Sequence, residues 1–163
     1  MIVGVVSDTH NNIKNIEKII SIFNKENVDI VIHTGDISKA TTLKLFSSLN
    51  CPLVGVFGNN DRIEEGLETV CSKHNFKFQE PPLVLNIKNK KILILHEPDL
   101  IEDYLNKEAD IDLILHGHTH RYREEKLGKV ICFNPGESAG FQAGKNAIGL
   151  VNMHNLGIKR IFF

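Results

Sequence analysis

Residues 113–120 of the chain, LILHGHTH, place three imidazoles directly after a run of apolar side chains. Histidine is a common metal ligand and general base, but one short segment cannot complete a metal site. Further candidate ligands follow four other apolar runs, in the segments Ser7-Asp8-Thr9-His10, His33-Thr34-Gly35-Asp36, Gly58-Asn59-Asn60-Asp61 and His96-Glu97-Pro98. Metal chemistry is therefore the first property that the residue types indicate.

These side chains offer carboxylate oxygens, an amide oxygen and imidazole nitrogens, a donor set that suits Mn, Fe, Ni or Zn. They are numerous enough for two ions if one carboxylate is shared, and Asp36 is the natural bridge because it stands alone after its strand. Two divalent ions, with Asp8, Asp36 and a bridging hydroxide, leave about one positive charge, which suits an anionic phosphate. Such a pair activates water and stabilises phosphoryl oxygens during in-line displacement.

The candidate ligands depend on the elements that carry them. Residues 2–6, 29–33 and 53–57 are typical of buried strands, and helical periodicity follows each strand at about 12–26, 43–49 and 63–70. Ligands of open α/β sheets gather outside the carboxyl ends of the strands. Asp8 and His10 are two residues apart, as are His118 and His120, so an extended backbone would present both members of each pair on one side.

The second half of the chain has a different rhythm. Residues 83–87 and 92–95 flank polar residues 88–91 and predict a β-hairpin, and a short helix is expected at 101–109. Further strands are predicted at 111–115, 130–133, 147–152 and 158–163, with a solvated loop at 124–126. We therefore expect an α/β protein with one domain over residues 1–163, in which two packed sheets carry helices outside.

Composition limits the function classes. The chain has 163 residues, 42% of them apolar, and a net charge of −1, so it lacks the basic excess of many nucleic-acid-binding proteins. No apolar run reaches membrane-spanning length, and the N-terminus lacks the basic start of a signal peptide. Three widely spaced cysteines predict reduced thiols in a cytoplasmic protein. A homo-oligomer stays open, with Phe162 and Phe163 packed in the core or across a dimer.

The ordered set Asp8-x-His10, Gly35-Asp36, Gly58-Asn59-x-Asp61, His96 and Gly117-His118-x-His120 resembles the calcineurin-like metallophosphoesterase superfamily. The short chain without insertions is similar to its small single-domain archaeal and bacterial phosphodiesterase branch. The resemblance extends to at least Gly136, because Asn134-Pro135-Gly136 is similar to a late turn of that branch. It implies a four-layer α/β/β/α sandwich of two mixed sheets with flanking helices.

The resemblance also implies roles for individual residues. The ligands of a first metal would be Asp8, His10, Asp36 and His120, and those of a second would be Asp36, Asn59, His96 and His118. Asp61 matches a carboxylate that supports the site, although an aspartate there could equally cap the next helix. The expected catalytic residues are Asp36, Asn59, Asp61 and His96.

The implied activity is metal-dependent hydrolysis of phosphodiesters rather than monoesters, with a bridging hydroxide as the nucleophile. The expected cofactors are two divalent ions, Mn first, with Ni, Fe or Zn as alternatives. A small phosphodiester is the expected substrate, nucleic-acid fragments stay open, and no membrane partner is expected.

Three positions depart from the family pattern. Asn60 stands where many members have a histidine that protonates the leaving group, and an amide cannot act as a general acid. Glu97 and Glu137 stand where related chains often have Gly and Ser, respectively. Asn60 and Glu97 keep a second hypothesis open, a non-enzymatic scaffold like the retromer subunit of the same fold. His116 is expected to lie near the site without binding a metal.

Overall fold

The computed structural model describes residues 1–107 and 110–163. Eleven strands lie within the described residues: β1 Ile2–Val6, β2 Ile30–His33, β3 Leu53–Val56, β4 Lys77–Gln79, β5 Leu83–Ile87, β6 Lys90–Ile94, β7 Leu113–Leu115, β8 Arg123–Leu127, β9 Val130–Asn134, β10 Ala147–Asn152 and β11 Gly157–Phe162. The α-helices are α1 Ile13–Lys25, α2 Ala40–Leu43, α3 Leu67–His74 and α4 Ile101–Lys107. The predicted end of the last helix at 108–109 lies outside the described residues.

The strands form two sheets. The first has the order β11-β10-β1-β2-β3-β4 and the second has the order β5-β6-β7-β9-β8. Strands β1 to β4 are parallel to one another, while β10 runs antiparallel to both of its neighbours, β1 and β11, so the first sheet is mixed. The second sheet is also mixed, with parallel β6, β7 and β9 between antiparallel edges. The predicted α/β fold with two mixed sheets is confirmed.

Three apolar cores separate the layers. The outer face of the first sheet packs against α1 and α3 through residues such as Phe23, Val31 and Leu67. Successive strand residues point to opposite faces, so Ile32 packs between the two sheets, where Ile92 meets it from the second sheet. A third core lies under α4. The result is the expected four-layer α/β/β/α sandwich.

Helix α1 illustrates how local sequence starts an element next to the site. The Asn12 side chain accepts a hydrogen bond from the Asn15 backbone N–H at 3.1 Å, which satisfies one free donor of the first turn. Ile16, Ile20 and Phe23 then recur on one face and are buried. This face fixes the helix against the sheet directly after the loop that carries Asp8 and His10.

Several predicted elements need correction. The prediction of a loop at residues 124–126 is wrong, because these residues lie in the edge strand β8. Its charged, exposed side chains give no apolar pattern from which a strand could be predicted. Such charges protect the edge of a sheet against pairing with other chains. The hairpin turn comprises only Lys88 and Asn89, whose φ angles of 51° and 61° suit a two-residue turn. Strand β4 was not predicted, because its three residues, one apolar between two polar, are too few to establish an alternating hydropathy pattern.

The third helix also begins later than expected. It starts at Leu67 after Gly66, whose φ of 84° forms a left-handed turn that ends the preceding irregular segment. Ile63, the first residue of the helical spacing predicted for residues 63–70, is 85% exposed. Asp61 therefore does not cap this helix.

The remaining sequence expectations concern thiols, the C-terminus and membranes. All three cysteines are free thiols, with Cys71 and Cys132 buried, as predicted. Phe163 packs against the outer core of the first sheet, whereas Phe162 is 58% exposed. Within residues 1–107 and 110–163, no helix has both the length and the apolar character needed to cross a membrane.

Candidate metal centre

The loops that follow β1, β2, β3, β6 and β7 meet at one end of the sandwich. Backbone hydrogen bonds join them in pairs: Asp8 N–H donates to Gly35 O at 3.0 Å and His10 N–H donates to Asp36 O at 2.9 Å. Across the second sheet, Gly117 N–H donates to His96 O at 3.0 Å. Both sheets therefore contribute to one site, as the strand-end pattern predicted.

The backbone at the candidate ligands differs from the sequence expectation. Asp8, His10, Asp36, His118 and His120 all have positive φ angles, between 43° and 68°. The extended backbone assumed for the pairs two residues apart is therefore wrong. Left-handed conformations are uncommon for residues other than glycine and concentrate at functional sites. Here the tight turns direct the side chains inward from loops that leave their strands at once.

Two overlapping groups of donor atoms result. Asp8, His10 and His120 bring one ligand atom each to within 4.8 Å of one another, and Asp8, Asp36 and His96 form a second such group. His120 Nε2 lies 3.4 Å from Asp8 Oδ1 and 3.5 Å from His10 Nε2. These spacings suit side chains that converge on a cation, and the N and O donors are those of borderline divalent ions.

Asp8 is common to both groups, whereas Asp36 belongs to the second group and also approaches His10 of the first. Its Oδ1 is 3.4 Å from His96 Nε2, while its Oδ2 is 3.8 Å from His10 Nε2, so the two oxygens face different sides. Asn59 Oδ1 lies 3.0 Å from both His96 Nε2 and His118 Nδ1. The structure thus brings all seven residues predicted as ligands together.

The electrostatics of the carboxylates differ. Asp8 is fully buried, and this burial raises the pKa of its carboxyl despite a hydrogen bond from Ser7. Burial would raise the pKa of Asp36 too, but hydrogen bonds and the charge of His96, together with Asn60, hold it well below its usual range. Burial by itself would lower the pKa of His96. The hydrogen bond to Asp36 and its negative charge outweigh this effect, so the pKa of His96 is raised. Asp36 is therefore anionic and ready to accept a cation.

Asp61 holds two of these loops without reaching into the metal site. Its carboxylate accepts four backbone N–H groups, from Asp36 at 2.9 Å, Ile37 at 2.9 Å, Ser38 at 2.6 Å and Gly58 at 2.7 Å. Burial raises the pKa of Asp61 in spite of these donors. The side chain fixes the loop after β2 to the loop after β3, which is a supporting rather than a helix-capping position.

Glycines allow the loops to approach. A Cβ on Gly117 would overlap Ser7 Oγ, and a Cβ on Gly58 would overlap Asp36 Oδ1. A Cβ on Gly35 would lie 2.5 Å from His96 Nδ1. These three positions need glycine, because a side chain at any of them would displace a candidate ligand or a side chain that contacts one.

Two other histidines lie outside the donor groups. His33 is buried against Phe46 and interacts with Thr9 Oγ1 at 3.0 Å, and burial lowers its pKa to about 3. His116 is buried beneath its loop, with Nδ1 3.1 Å from Gly117 O, and burial lowers its pKa to about 4. His116 therefore packs behind the loop that presents His118 and His120.

The departures from the family pattern have definite positions. The Asn60 side chain donates to Asp36 Oδ2 at 2.7 Å and lies exposed at the mouth of the site. Glu97 has a cationic neighbour, because Arg62 Nη2 lies 3.5 Å from Glu97 Oε2. The same guanidinium also pairs with Glu80. The negative charge of Glu97 is thus partly compensated by a neighbouring cation.

Phe141, which lies beside the donor groups, was missed from the sequence, and Glu137 was noted there only as a departure from the family pattern. Phe141 lies face to face with His120, with ring centroids 5.4 Å apart and an interplanar angle of 12°, and it is 68% exposed. Glu137 is buried, with Oε2 3.7 Å from His120 Nδ1. The available signals were a lone aromatic between Gly140 and Gly144, and an acidic residue directly after Asn134-Pro135-Gly136.

The calcineurin-like phosphoesterase superfamily domain matches residues 1–155 of the chain, which include every candidate ligand. The chain belongs to this superfamily. Members of the calcineurin-like phosphoesterase superfamily are hydrolases of phosphoric esters that depend on divalent metal ions.

Individual relatives agree with this membership. The Methanocaldococcus jannaschii protein Phosphodiesterase MJ0936 is 32% identical over 157 residues, which cover 93% of each chain. A solved archaeal phosphodiesterase structure superposes with a TM-score of 0.89 at 32% identity and covers all of both chains. Vps29 of Entamoeba histolytica, solved with Zn²⁺, has a TM-score of 0.68 at 18% identity, covers 100% of this chain and 98% of its own, and shares the calcineurin-like fold.

Proposed function

We propose that this protein, acting as a single domain, hydrolyses phosphodiesters at a centre of two divalent metal ions. The observation that carries the proposal is the convergence of seven O- and N-bearing side chains: five form two overlapping donor groups that share Asp8, Asp36 approaches both groups, and Asn59 contacts His96 and His118. In this proposal His10, His120 and Asp8 hold one ion, and His96, His118 and Asn59 hold the other. When bound, the ions would supply a hydroxide nucleophile at neutral pH and compensate charge on the phosphoryl oxygens.

The residues of the chain would orient and stabilise this centre. Asp36 stays ionised because its pKa is lowered, so it offers one oxygen to each donor group. His96 Nδ1 lies 2.8 Å from Thr34 O, which leaves its Nε2 free to face Asp36 and Asn59. Such a contact on the second ring nitrogen fixes the orientation of a ligand histidine.

The preference for a diester rests on the solvent-exposed opening of the site, where Asn60 and His118 lie. Asn60 stands where a histidine would protonate the leaving oxygen, and its amide protons are too weakly acidic to transfer, so leaving groups that depart as stable anions are favoured. His118 is exposed and the mouth is open, which leaves space for a second ester substituent. The similarity to proteins named phosphodiesterases supports the same choice.

Manganese is the proposed metal, with Ni, Fe and Zn as alternatives for the same donor set. The substrate is proposed to be a small phosphodiester, and short nucleic-acid fragments belong to that chemical class. The retromer-like scaffold hypothesis has less support, because likeness to Vps29 at 18% identity concerns the fold alone. A scaffold also has no need for seven converging donors.

The test is a metal-reconstitution assay on the purified, metal-stripped protein. Chromogenic diester and monoester substrates are compared after addition of Mn, Ni, Zn or Mg. We expect Mn-dependent hydrolysis of the diester, and its loss in Asp36→Ala and His118→Ala by more than the roughly 10–100-fold typical of residues behind the ligands. His154→Ala, an exposed histidine far from the donor groups in sequence, is the control and should keep full activity. Full activity in either ligand variant refutes the proposal.

A further inference from the structure

An apolar groove opens directly beside the donor groups. It has a volume of about 600 Å³ and lies between the start of α1 and the segment after β9, where Ile13, Ala139 and Phe141 line it together with the polar residues His10, Asn11 and Asn12. Ile13 is 53% exposed and Phe141 is 68% exposed, so two large apolar side chains face solvent next to a charged site. The size falls within the range of small-molecule sites, roughly 300–1,000 Å³.

The groove walls are held in place by polar contacts. Asn12 Nδ2 donates to Ala139 O at 2.7 Å, and Asn15 Nδ2 donates to Ser138 O at 2.8 Å. The buried carboxylate of Glu137 accepts the backbone N–H of Phe141 at 3.0 Å. The segment after β9 is therefore fixed to the start of α1 on one side and to Glu137 on the other. A ligand that binds in the groove does not have to order this segment, so it avoids that entropic cost.

The orientation of Phe141 indicates what kind of group fits. One face of its ring lies parallel to the imidazole of His120, and His10 approaches within 5.3 Å of its centroid. The high exposure of Phe141 leaves the rest of the ring available for a second planar group. Aromatic rings prefer offset-stacked or edge-to-face contacts, which add selectivity beyond apolar burial.

We propose that this groove is a subsite for a planar aromatic ester substituent of the phosphodiester substrate, with Phe141 as the residue that selects it. The inference rests on the proposed function, because the phosphate must lie at the donor groups for its substituent to reach the groove. A phosphodiester carries two ester groups, and the groove begins at His10, so one of them is within reach. The substrate class is thus narrowed to diesters with an aryl group or a nucleobase close to phosphorus.

Binding of phosphonates tests the groove without requiring turnover. Isothermal titration calorimetry on the Mn²⁺-loaded protein would compare phenylphosphonate with methylphosphonate, which share the metal-binding head and differ only in the ring. We expect the native protein to favour phenylphosphonate, and Phe141→Ala to reduce that preference about five- to tenfold. Phe141→Leu keeps an apolar side chain but has no aromatic ring. Its preference for phenylphosphonate should therefore lie between those of the native protein and Phe141→Ala.

Phe162→Ala is the matched control, because Phe162 is a similarly exposed phenylalanine on edge strand β11. It should leave the phenyl preference unchanged. Equal weakening of both phosphonates in Phe141→Ala would overturn the inference, since it would mean that the ring acts only through His120. An unchanged preference would also overturn it.

Hydrolysis separates this inference from the proposed function. The native protein and Phe141→Ala would be assayed with bis(p-nitrophenyl) phosphate and methyl p-nitrophenyl phosphate, which share a leaving group. Absence of metal-dependent hydrolysis by the native protein would refute the proposed function, whereas the phosphonate preference alone decides the groove. The informative quantity is kcat/KM for bis(p-nitrophenyl) phosphate divided by kcat/KM for methyl p-nitrophenyl phosphate. A fall in this ratio in Phe141→Ala would identify the ester group that stays on phosphorus as the occupant of the groove.

Discussion

Replacing Asp61 with asparagine tests whether one buried carboxylate holds the metal site together. The carboxylate accepts four backbone N–H groups, two on each oxygen: Ile37 and Ser38 on Oδ1, and Asp36 and Gly58 on Oδ2. Asparagine retains one acceptor oxygen but places an NH₂ group at the other end. Two N–H groups then face a donor and lose their partner.

The magnitude follows from those two lost contacts. Leaving a buried donor unsatisfied costs about 1–3 kcal/mol, so the pair predicts a loss of about 2–6 kcal/mol. Burial already raises the pKa of Asp61, which means that the native carboxylate is held at some energetic cost. A neutral amide removes that cost, so we expect the lower half of the range. A domain of ordinary stability survives this loss.

Urea unfolding of the metal-free protein measures the stability change, and calorimetric titration with Mn²⁺ measures the affinity. We expect the affinity of Asp61→Asn to fall about 10–100-fold, because the loops that carry Asp36 and Asn59 lose their common anchor. Asp103→Asn, an exposed site on α4, serves as the control and should stay within about 0.5 kcal/mol of the native protein. An unfolding free energy for Asp61→Asn within that same margin would refute the reasoning.

Three further predictions concern stability, packing and leaving groups. The pKa of His33 is about 3 in the fold against about 6.5 unfolded, so its neutral form stabilises the protein fully above pH 6.5 and progressively less as the pH falls toward 3. His33→Gln should therefore remove about 1.4 kcal/mol per pH unit from the pH dependence of the unfolding free energy between pH 6 and 4, measured by urea unfolding. Gly117→Ala should abolish metal-dependent hydrolysis, because its Cβ would overlap Ser7. Gly144→Ala strains only its own backbone, which has a φ of 72°, and its Cβ meets nothing within 4 Å, so this variant should retain activity; equal activities would contradict this. Asn60→His should raise kcat for diesters with alkoxide leaving groups by about 10²-fold or more while changing p-nitrophenyl substrates little, and a uniform effect on both would argue against a missing general acid.

Residue types and order were enough to predict the α/β sandwich and a metal site at the strand ends. Buried parallel strands are continuous apolar runs, and the polar residues that end them must meet at one edge of a sheet. Strand β8 escaped prediction because an exposed edge has no apolar pattern, and α3 was placed too early because Ile63 matched a helical spacing that Gly66 interrupts. The errors thus fall where exposure or a single turn outweighs periodicity.

The sequence by itself determined which side chains could bind metals, because ligand chemistry belongs to the residue type and each ligand follows a strand. Only the tertiary structure decided how they are presented. The left-handed turns at Asp8 and His10 are held by backbone hydrogen bonds to Gly35 and Asp36, in a loop that is distant in sequence. The neighbourhood of Phe141 and His10, 131 positions apart by their numbers, exists because both sheets end at the same edge and Asn12 and Glu137 hold the intervening segment. Local patterns carry no information about such contacts, since the contacts depend on the path of the whole chain.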